Sequence, residues 1–208
     1  MKADAGSNLP PDMLSLLREA TGPSHERLDA SFGSLDLSSQ AGLARFLAAH
    51  LIGLAPLFPV FRAFVEEQLR LECPDYPAML RADLAALGVD AGGLPVLEAP
   101  AAVGAAVGAA AGAAPGVGYV VCGSRLGLTV IRQRGYWGEA RGFRSAYMTD
   151  GRGHEAWKAL VPRLRGHAYT PEEAESARAA ALASFDVFTR AFAASGAAAS
   201  AKRAPADG

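Results

Sequence analysis

A histidine, a carboxylate and an arginine share one face of the predicted first helix. In the segment "LREATGPSHERLDA", Asp29 lies four residues after His25 and Arg18 lies seven residues before it, which places all three on one side of a helix. The Asp29 carboxylate can accept a hydrogen bond from Nδ1–H of His25, which leaves Nε2 free to bind a metal. Arg18 can reach an acidic group of a ligand held there. The alternative is a core-edge histidine with a satisfied hydrogen bond and a solvated charged flank.

Two glycines interrupt a later apolar segment, "YVVCGSRLGLTVIRQR" at 119–134, which ends in basic residues typical of a helix C-terminus. Each interior glycine costs a helix about 0.5–1 kcal/mol relative to alanine. Gly123 and Gly127 are one turn apart and share a face with Tyr119, so that face exposes main chain. Such a face allows close packing of another helix, or it lets a flat ligand approach the backbone. The residues themselves leave both uses open.

Composition and charge exclude several classes of protein. The chain has 208 residues, 50% of them hydrophobic, which predicts a folded globular protein rather than a disordered one. Its net charge of −1 provides no basic field for nucleic acid. Cys73 and Cys122 are too few for a disulfide framework or a zinc site of their own. The N-terminus lacks the apolar core of a signal peptide, so we expect a cytoplasmic protein.

One charge-free stretch, residues 99–124, is long enough to span a bilayer. Alanine and glycine dominate it, and Pro115 and Gly116 interrupt it, so its hydropathy is weak for its length. We therefore expect two helices of a globular core that meet at "APGVG" (114–118), and no membrane span.

The elements that must position these residues are all helices. No alternation of β-branched residues is long enough for a sheet, and the pattern predicts an all-α domain of about seven to nine helices. Asp12 is the expected N-cap of the first helix, which Pro23 should kink or divide just before His25. Ser38 or Ser39 is the expected start of the second helix.

The last helix and the domain boundaries also follow from local signals. Thr170 as N-cap, with Pro171 in the first helical position, predicts the start of a long closing helix. We expect a flexible N-terminal arm at 1–11, one domain at 12–194 and a disordered C-terminal tail at 195–208.

Together the two chemistry-bearing segments resemble the bacterial heme oxygenases that produce biliverdin. The first helix of that family carries a Leu-x-x-x-Thr-x-x-x-His pattern, matched here by Leu17, Thr21 and His25. Its distal helix carries a Tyr-Val-x-x-Gly-Ser-x-Leu-Gly pattern, matched here by Tyr119, Val120, Gly123, Ser124, Leu126 and Gly127. The segment "ASFDVFTRAF" is similar to the family's last core helix. The resemblance covers about residues 12–192, and the two motifs in this order are more specific than either alone.

The resemblance implies a single-domain heme oxygenase-like helical fold with heme between a proximal and a distal helix. By this similarity His25 is the axial iron ligand, and Asp29 is its hydrogen-bond partner. Gly123 and Gly127 lie against the distal face of heme. Ser124 occupies a position where some relatives place a polar group that organises distal water.

The same resemblance suggests which residues hold the rest of the heme. Tyr119, on the face of the two glycines, is expected to contact it. Arg18 is expected to pair with a heme propionate. Further cations come from a late helix in the family, where the candidates here are Lys158, Arg163 and Arg165.

The implied activity is that of an oxidoreductase for which heme is both cofactor and substrate. With O₂ and electrons, it cleaves heme to biliverdin, CO and ferrous iron. The sequence contains no recognisable flavin or nicotinamide site, so we expect an external electron-donor protein such as a ferredoxin or a reductase. A bacteriophytochrome is a candidate receiver of the bilin. Neither nucleic acid nor a membrane is expected as a partner.

Two positions depart from the family pattern. Bacterial relatives commonly have Glu just before the Gly-Ser pair, where this chain has Cys122, and they often have a second glycine where it has Leu128. These departures motivate an alternative function, a non-catalytic heme-binding or heme-sensing relative of the same fold that retains His25. A further alternative is a helical interaction module in which His25 and the glycines are packing residues only.

Overall fold

The computed structural model describes residues 12–104 and 112–201, with side chains through residue 196. The described residues form helices, turns and loops but no strand, so the predicted all-α class is confirmed. A π-helical turn, Phe64–Gln68, continues the third helix. In chain order the α-helices are α1 (Met13–Gly33), α2 (Gln40–Leu54), α3 (Phe58–Ala63), α4 (Tyr76–Ala86), α5 (Ala101–Gly104), α6 (Ala113–Arg134), α7 (Ala146–Thr149), α8 (Arg152–Gly166) and α9 (Pro171–Ala201).

Helix α1 begins at the predicted cap. Asp12 Oδ1 accepts a hydrogen bond from the Ser15 backbone N–H at 2.7 Å, and this bond lowers the pKa of the Asp12 carboxyl. Pro23 lies inside the helix, yet α1 continues to Gly33, so the predicted division is not found. Packing of α1 against α8 and α9 supports the helix although the proline removes one donor from its ladder. The predicted arm at 1–11 lies outside the described residues.

Helix α2 contains the longest run of buried residues in the described part of the chain. It begins at Ser39, one of the two predicted caps, whose hydroxyl oxygen accepts from the Gly42 N–H at 3.0 Å. Every residue from Phe46 to Leu54 is buried, and the one ionisable side chain of that run is His50. The sequence of α2 therefore places a titratable group within a largely buried, apolar segment.

Helix α9 is central to the fold. It packs against α1, α2, α5 and α6, while α6 also packs against α8. Thr170 caps α9 as predicted, because its hydroxyl accepts from the Glu173 N–H at 3.2 Å and the Glu173 carboxylate accepts from the Thr170 N–H at 2.8 Å. The helix continues to Ala201, so residues 195–201, which were predicted to belong to a disordered tail, are helical. The rest of the predicted tail, 202–208, lies outside the described residues.

A buried carboxylate joins α4 to α7. Asp83 is 5% exposed and accepts hydrogen bonds from the Ser145 hydroxyl at 2.5 Å, the Ala146 N–H at 2.9 Å and the Tyr147 N–H at 3.0 Å. These three bonds satisfy the buried carboxyl oxygens of Asp83 and the free N–H groups at the start of a short helix. They fix Tyr147 beside α2, with its ring centroid 5.6 Å from that of His50.

The course of α6 differs from the prediction that two helices meet at residues 114–118. It begins at Ala113 and runs through Pro115 and Gly116, so the segment 114–118 lies inside a helix and is not a junction between two. Pro115 is tolerated because it occupies the first turn, where a missing N–H breaks no helical bond. The residues just before it, 105–111, lie outside the described part of the chain.

Two apolar helical segments pass a test for membrane spans based on length and composition. Among the described residues, α6 passes alone, and α2 passes together with Phe58–Gln68, which is bent from it by 74°. The apolar window of α6 is 56% buried inside the protein. Burial to this extent is also found in the core helices of globular proteins.

Candidate functional site

A cleft of about 840 Å³ opens between α1 and α6. Side chains of α2 and α9 close its inner side, and α8 contributes Trp157. The volume lies within the range of about 300–1,000 Å³ that is typical of small-molecule and cofactor sites. Most of the lining is apolar, and the ionisable side chains among the described lining residues are His25, Asp29, His50, Tyr119 and Arg134.

His25 and Asp29 form the pair predicted from their spacing. His25 Nδ1 and Asp29 Oδ2 are 3.1 Å apart, and the two side chains are 58% and 69% exposed. The His25 ring also makes an edge-on contact with Phe185 of α9, with centroids 5.9 Å apart. With Asp29 accepting from Nδ1–H, the lone pair of His25 is on Nε2. The pair therefore presents an accessible imidazole ligand at the cleft.

The two predicted glycines form the facing wall on α6. Gly123 and Gly127 both line the cleft. A Cβ atom placed on Gly127 would meet nothing within 4 Å, and one on Gly123 would lie 3.7 Å from the Trp157 ring. No described helix is close enough to require either glycine, so close helix packing does not explain them.

Tyr119 and Trp157 flank the glycine wall. Their ring centroids are 5.9 Å apart, and both rings line the cleft. Ser124 is half-buried on the same wall and donates its hydroxyl hydrogen to the Val121 carbonyl at 2.8 Å. The Ser124 oxygen therefore offers lone pairs, rather than a proton, to a ligand or water in the cleft.

A second histidine lines the cleft and was not among the predicted site residues. His50 is 6% exposed, and Nδ1 is 2.9 Å from the carbonyl oxygen of Phe46 on its own helix. Burial lowers the pKa of His50 to about 4, an effect that the hydrogen bond to Phe46 opposes and the nearby Arg125 cation reinforces. His50 is therefore neutral at physiological pH. The sequence signal was a single ionisable residue within the otherwise apolar run 46–54 of α2.

Two of the predicted cations on α8 have partners elsewhere. Lys158 pairs with Glu155 at 3.0 Å on the exposed side of that helix. Arg163 donates to the side-chain oxygen of Gln68 at 3.3 Å. Neither of the two lines the cleft.

The remaining predicted cations are exposed at the surface. Arg18 and Arg165 both lie outside the cleft lining. The basic residue that does line the cleft is Arg134, in the last turn of α6. The structure thus brings the predicted ligand pair and glycine wall together, but it does not bring the four predicted cations to the same surface.

Cys122 and Arg125 are buried on a part of α6 that does not line the cleft. The Arg125 guanidinium lies over the rings of Tyr76 and Tyr147, at 4.4 and 4.2 Å from their centroids, and it donates to the Tyr147 and Asp150 carbonyls. No described carboxylate forms an ion pair with it, and its Nε and Nη1 have no described partner. Burial raises the pKa of the Cys122 thiol to about 12, so this group is neutral at physiological pH.

No protein-family model matches this chain, and no curated protein matches it. Its function therefore has to be inferred from the residues and the geometry of the cleft.

Proposed function

We propose that this chain is a heme oxygenase that binds heme between α1 and α6 and cleaves it to biliverdin, CO and ferrous iron. One observation carries the proposal. Two motifs separated by about 100 residues of sequence meet across one cleft, with His25 on one wall and Gly123 and Gly127 on the other. The His25–Asp29 pair alone could be a solvated flank of α1, but its position opposite two glycines that packing does not require, across a ligand-sized space, does not follow from packing.

The histidine wall fits an axial iron ligand. Asp29 holds Nδ1–H of His25, and a carboxylate at that position raises the basicity of the opposite nitrogen and fixes the ring orientation. The ring contact with Phe185 restricts the imidazole from the α9 side. His25 would hold the heme iron through Nε2, and bound heme would supply the site at which O₂ reacts.

The glycine wall fits a flat ring. Because Gly123 and Gly127 lack side chains, the main chain of α6 forms that part of the surface, and a planar ligand can approach it closely. Leu128 is 3% exposed and also lines the cleft, at the position where relatives often have another glycine. Its side chain narrows the cleft on one side, and we expect it to influence which edge of the ring is attacked.

The polarity of the α6 wall favours ring oxygenation over peroxidase chemistry. Bound heme would supply the iron that activates O₂, while the protein supplies orientation and control of water. The described α6 residues that line the cleft include no carboxylate and no histidine. That wall therefore holds no strong acid or base of the kind that peroxidase chemistry would require. Water held by the Ser124 oxygen and by main-chain groups would deliver protons.

Hemin titration and a turnover assay test the proposal. The purified chain should bind one hemin per molecule with a Soret band, and His25→Ala should lose the histidine-ligated spectrum, with recovery on addition of imidazole. Given a reductant under O₂, the wild-type complex should lose the Soret band, form a ferrous CO complex and yield a bilin that chromatography identifies.

The chain provides a matched control. His167 is an exposed histidine outside the cleft, and His167→Ala should bind and turn over hemin like the wild type. A stable hemin complex that never yields a bilin would assign the chain as a heme-binding or heme-sensing protein. Failure to bind hemin stoichiometrically would contradict any heme function and favour the interaction-module alternative.

A further inference from the structure

His50 lies on the inner side of the cleft and has no role in the heme oxygenase function proposed above. Its ring lies among aromatic rings of three other helices, with centroids 4.8 Å from Phe32, 5.6 Å from Tyr147 and 6.0 Å from Phe188. Its own helix contributes Phe46 at 4.2 Å. A polar side chain enclosed in this way is expected to have a hydrogen-bond partner for each of its polar atoms.

The contacts of His50 fix its tautomer. The Phe46 carbonyl can only accept, so Nδ1 of the neutral ring must carry the hydrogen and donate it. Nε2 therefore has a lone pair and no hydrogen. Among the described residues no donor reaches Nε2, and the atom is not sealed within the protein. Because His50 lines the cleft, its Nε2 acceptor is available to a ligand bound there.

We propose that Nε2 of His50 accepts a hydrogen bond from an N–H group of a linear tetrapyrrole, so that the inner end of the cleft recognises the opened ring. This inference rests on the proposed function and extends it from heme to the product. It makes His50 a binding and positioning residue for the bilin rather than a ligand of iron.

Heme and the opened tetrapyrrole differ in the hydrogen-bond donors that they can offer to His50 Nε2. In heme, all four ring nitrogens are directed at the iron. The ring edge carries C–H groups and two propionates, and an ionised carboxylate can only accept, so neither satisfies an imidazole acceptor. The opened, iron-free ring has pyrrole and lactam N–H donors. Covering an acceptor with an apolar edge costs affinity, whereas pairing it with a donor does not. His50 should therefore favour the bilin over heme.

Binding measurements on the full chain test this preference. The probes are hemin and biliverdin, and quenching of tryptophan fluorescence reports on both because Trp157 lines the cleft. His50→Leu removes the acceptor, and His50→Gln restores one through its amide oxygen. Neither change orphans the Phe46 carbonyl, which also accepts the helical N–H of residue 50. His167→Leu is the control for loss of a histidine outside the cleft.

We expect His50→Leu to weaken biliverdin binding by about tenfold, which corresponds to about 1.4 kcal/mol. Hemin affinity should stay within twofold or become tighter, and His50→Gln should recover most of the biliverdin affinity. Equal weakening of both ligands would identify His50 as a structural residue and overturn the proposal. Unchanged biliverdin affinity would overturn it as well.

A second measurement uses the wild-type protein, so it does not depend on whether a variant folds. In wild-type protein with ¹⁵N-labelled histidine, addition of biliverdin should shift the Nε2 resonance of His50, and an unshifted resonance would overturn the inference. The two proposals also fail separately. Turnover of hemin with no dependence of biliverdin binding on His50 would remove only this inference. Biliverdin binding through His50 without hemin binding would remove only the heme oxygenase function.

Discussion

The two halves of α6 use glycine for different reasons. In the N-terminal half, a Cβ on Gly116 would overlap the carbonyl oxygen of Ala177 on α9. In the C-terminal half, a Cβ on Gly127 would meet nothing within 4 Å, and one on Gly123 would make an ordinary contact with Trp157 at 3.7 Å. The same residue type therefore allows a helix to approach in one half and leaves open space in the other.

This difference shows which glycines the protein needs for its own packing. Gly116 is required by α9, since its backbone touches the neighbouring backbone. Gly127 lowers the helical stability of α6, and no described neighbour packs against it closely enough to offset that loss. A glycine kept on an open wall opposite a histidine–carboxylate pair favours ligand contact, which is the reason that we propose for it.

The largest expected effect is a loss of stability from a substitution in the N-terminal half of α6, which packs against α9. Gly116→Ala should destabilise the fold by about 3 kcal/mol or more, because the added methyl group must displace the backbone of α9. Chemical denaturation measures the change. Gly127→Ala is the matched control on the same helix, and a similar loss of stability at both positions would break the distinction between the two halves.

His50, on the inner side of the cleft, combines the two properties that distinguish the halves of α6. Its ring is closely packed, as Gly116 is, and it also lines the open cleft, as Gly127 does. Its folded-state pKa of about 4 lies below the ordinary value of 6.5, so the folded state binds fewer protons than the unfolded chain. Its contribution to stability is complete above about pH 6.5 and is lost as the pH falls toward 4, by up to about 3 kcal/mol.

Denaturation curves at several pH values check this dependence. The decline between pH 6.5 and 4 should be reduced in His50→Leu, where no group at that position is protonated. Asp12 and Asp36 have lowered pKa values because of hydrogen bonds to serine, so their effects fall at lower pH and remain in the variant. An identical pH profile in both proteins would contradict the buried neutral state of His50.

A bulky side chain on the open wall should affect the ligand rather than the fold. Gly127→Leu fills part of the cleft and should weaken hemin binding by tenfold or more, while the thermal midpoint stays at or above that of the wild type. Hemin titration and calorimetry on the same preparation measure both quantities. Retained hemin affinity would show that the ligand does not approach α6 at this position.

The smallest expected effect is a gain in stability at the open half. Gly127→Ala should stabilise the protein by about 0.5–1 kcal/mol, because it removes a helix-interior glycine without a new clash. If the ring lies against this wall, the same methyl group should change the distribution of biliverdin isomers. A loss of stability instead would mean that the open face of Gly127 is covered.

Much of the fold could be predicted from short-range signals. The caps at Asp12, Ser39 and Thr170 are each confirmed, since a cap depends on a residue and the N–H groups two or three positions later. Two predicted interruptions of helices, a division at Pro23 and a junction at Pro115, are not found. Neither proline divides its helix, because the first is supported by packing against α8 and α9 and the second lies in the first turn.

The candidate site was predictable where it depends on helical spacing. His25 and Asp29 pair as expected, and Gly123 shares the cleft wall with Gly127 and Tyr119. The cations were not predictable in the same way, because a long side chain on a helix surface has several neighbours and its direction depends on which is nearest. Arg163 contacts Gln68, and the cleft is lined instead by Arg134.

By itself, the sequence determined the helices, their caps and the His25–Asp29 pair, because these interactions join residues within about four positions of one another. Only the tertiary structure decided that Gly116 packs while Gly127 stays open, and that His50 joins His25 in one cleft. Those facts depend on helices far apart in the chain, such as α6 and α9. Steric contact between such helices has no periodic signature in the sequence of either one.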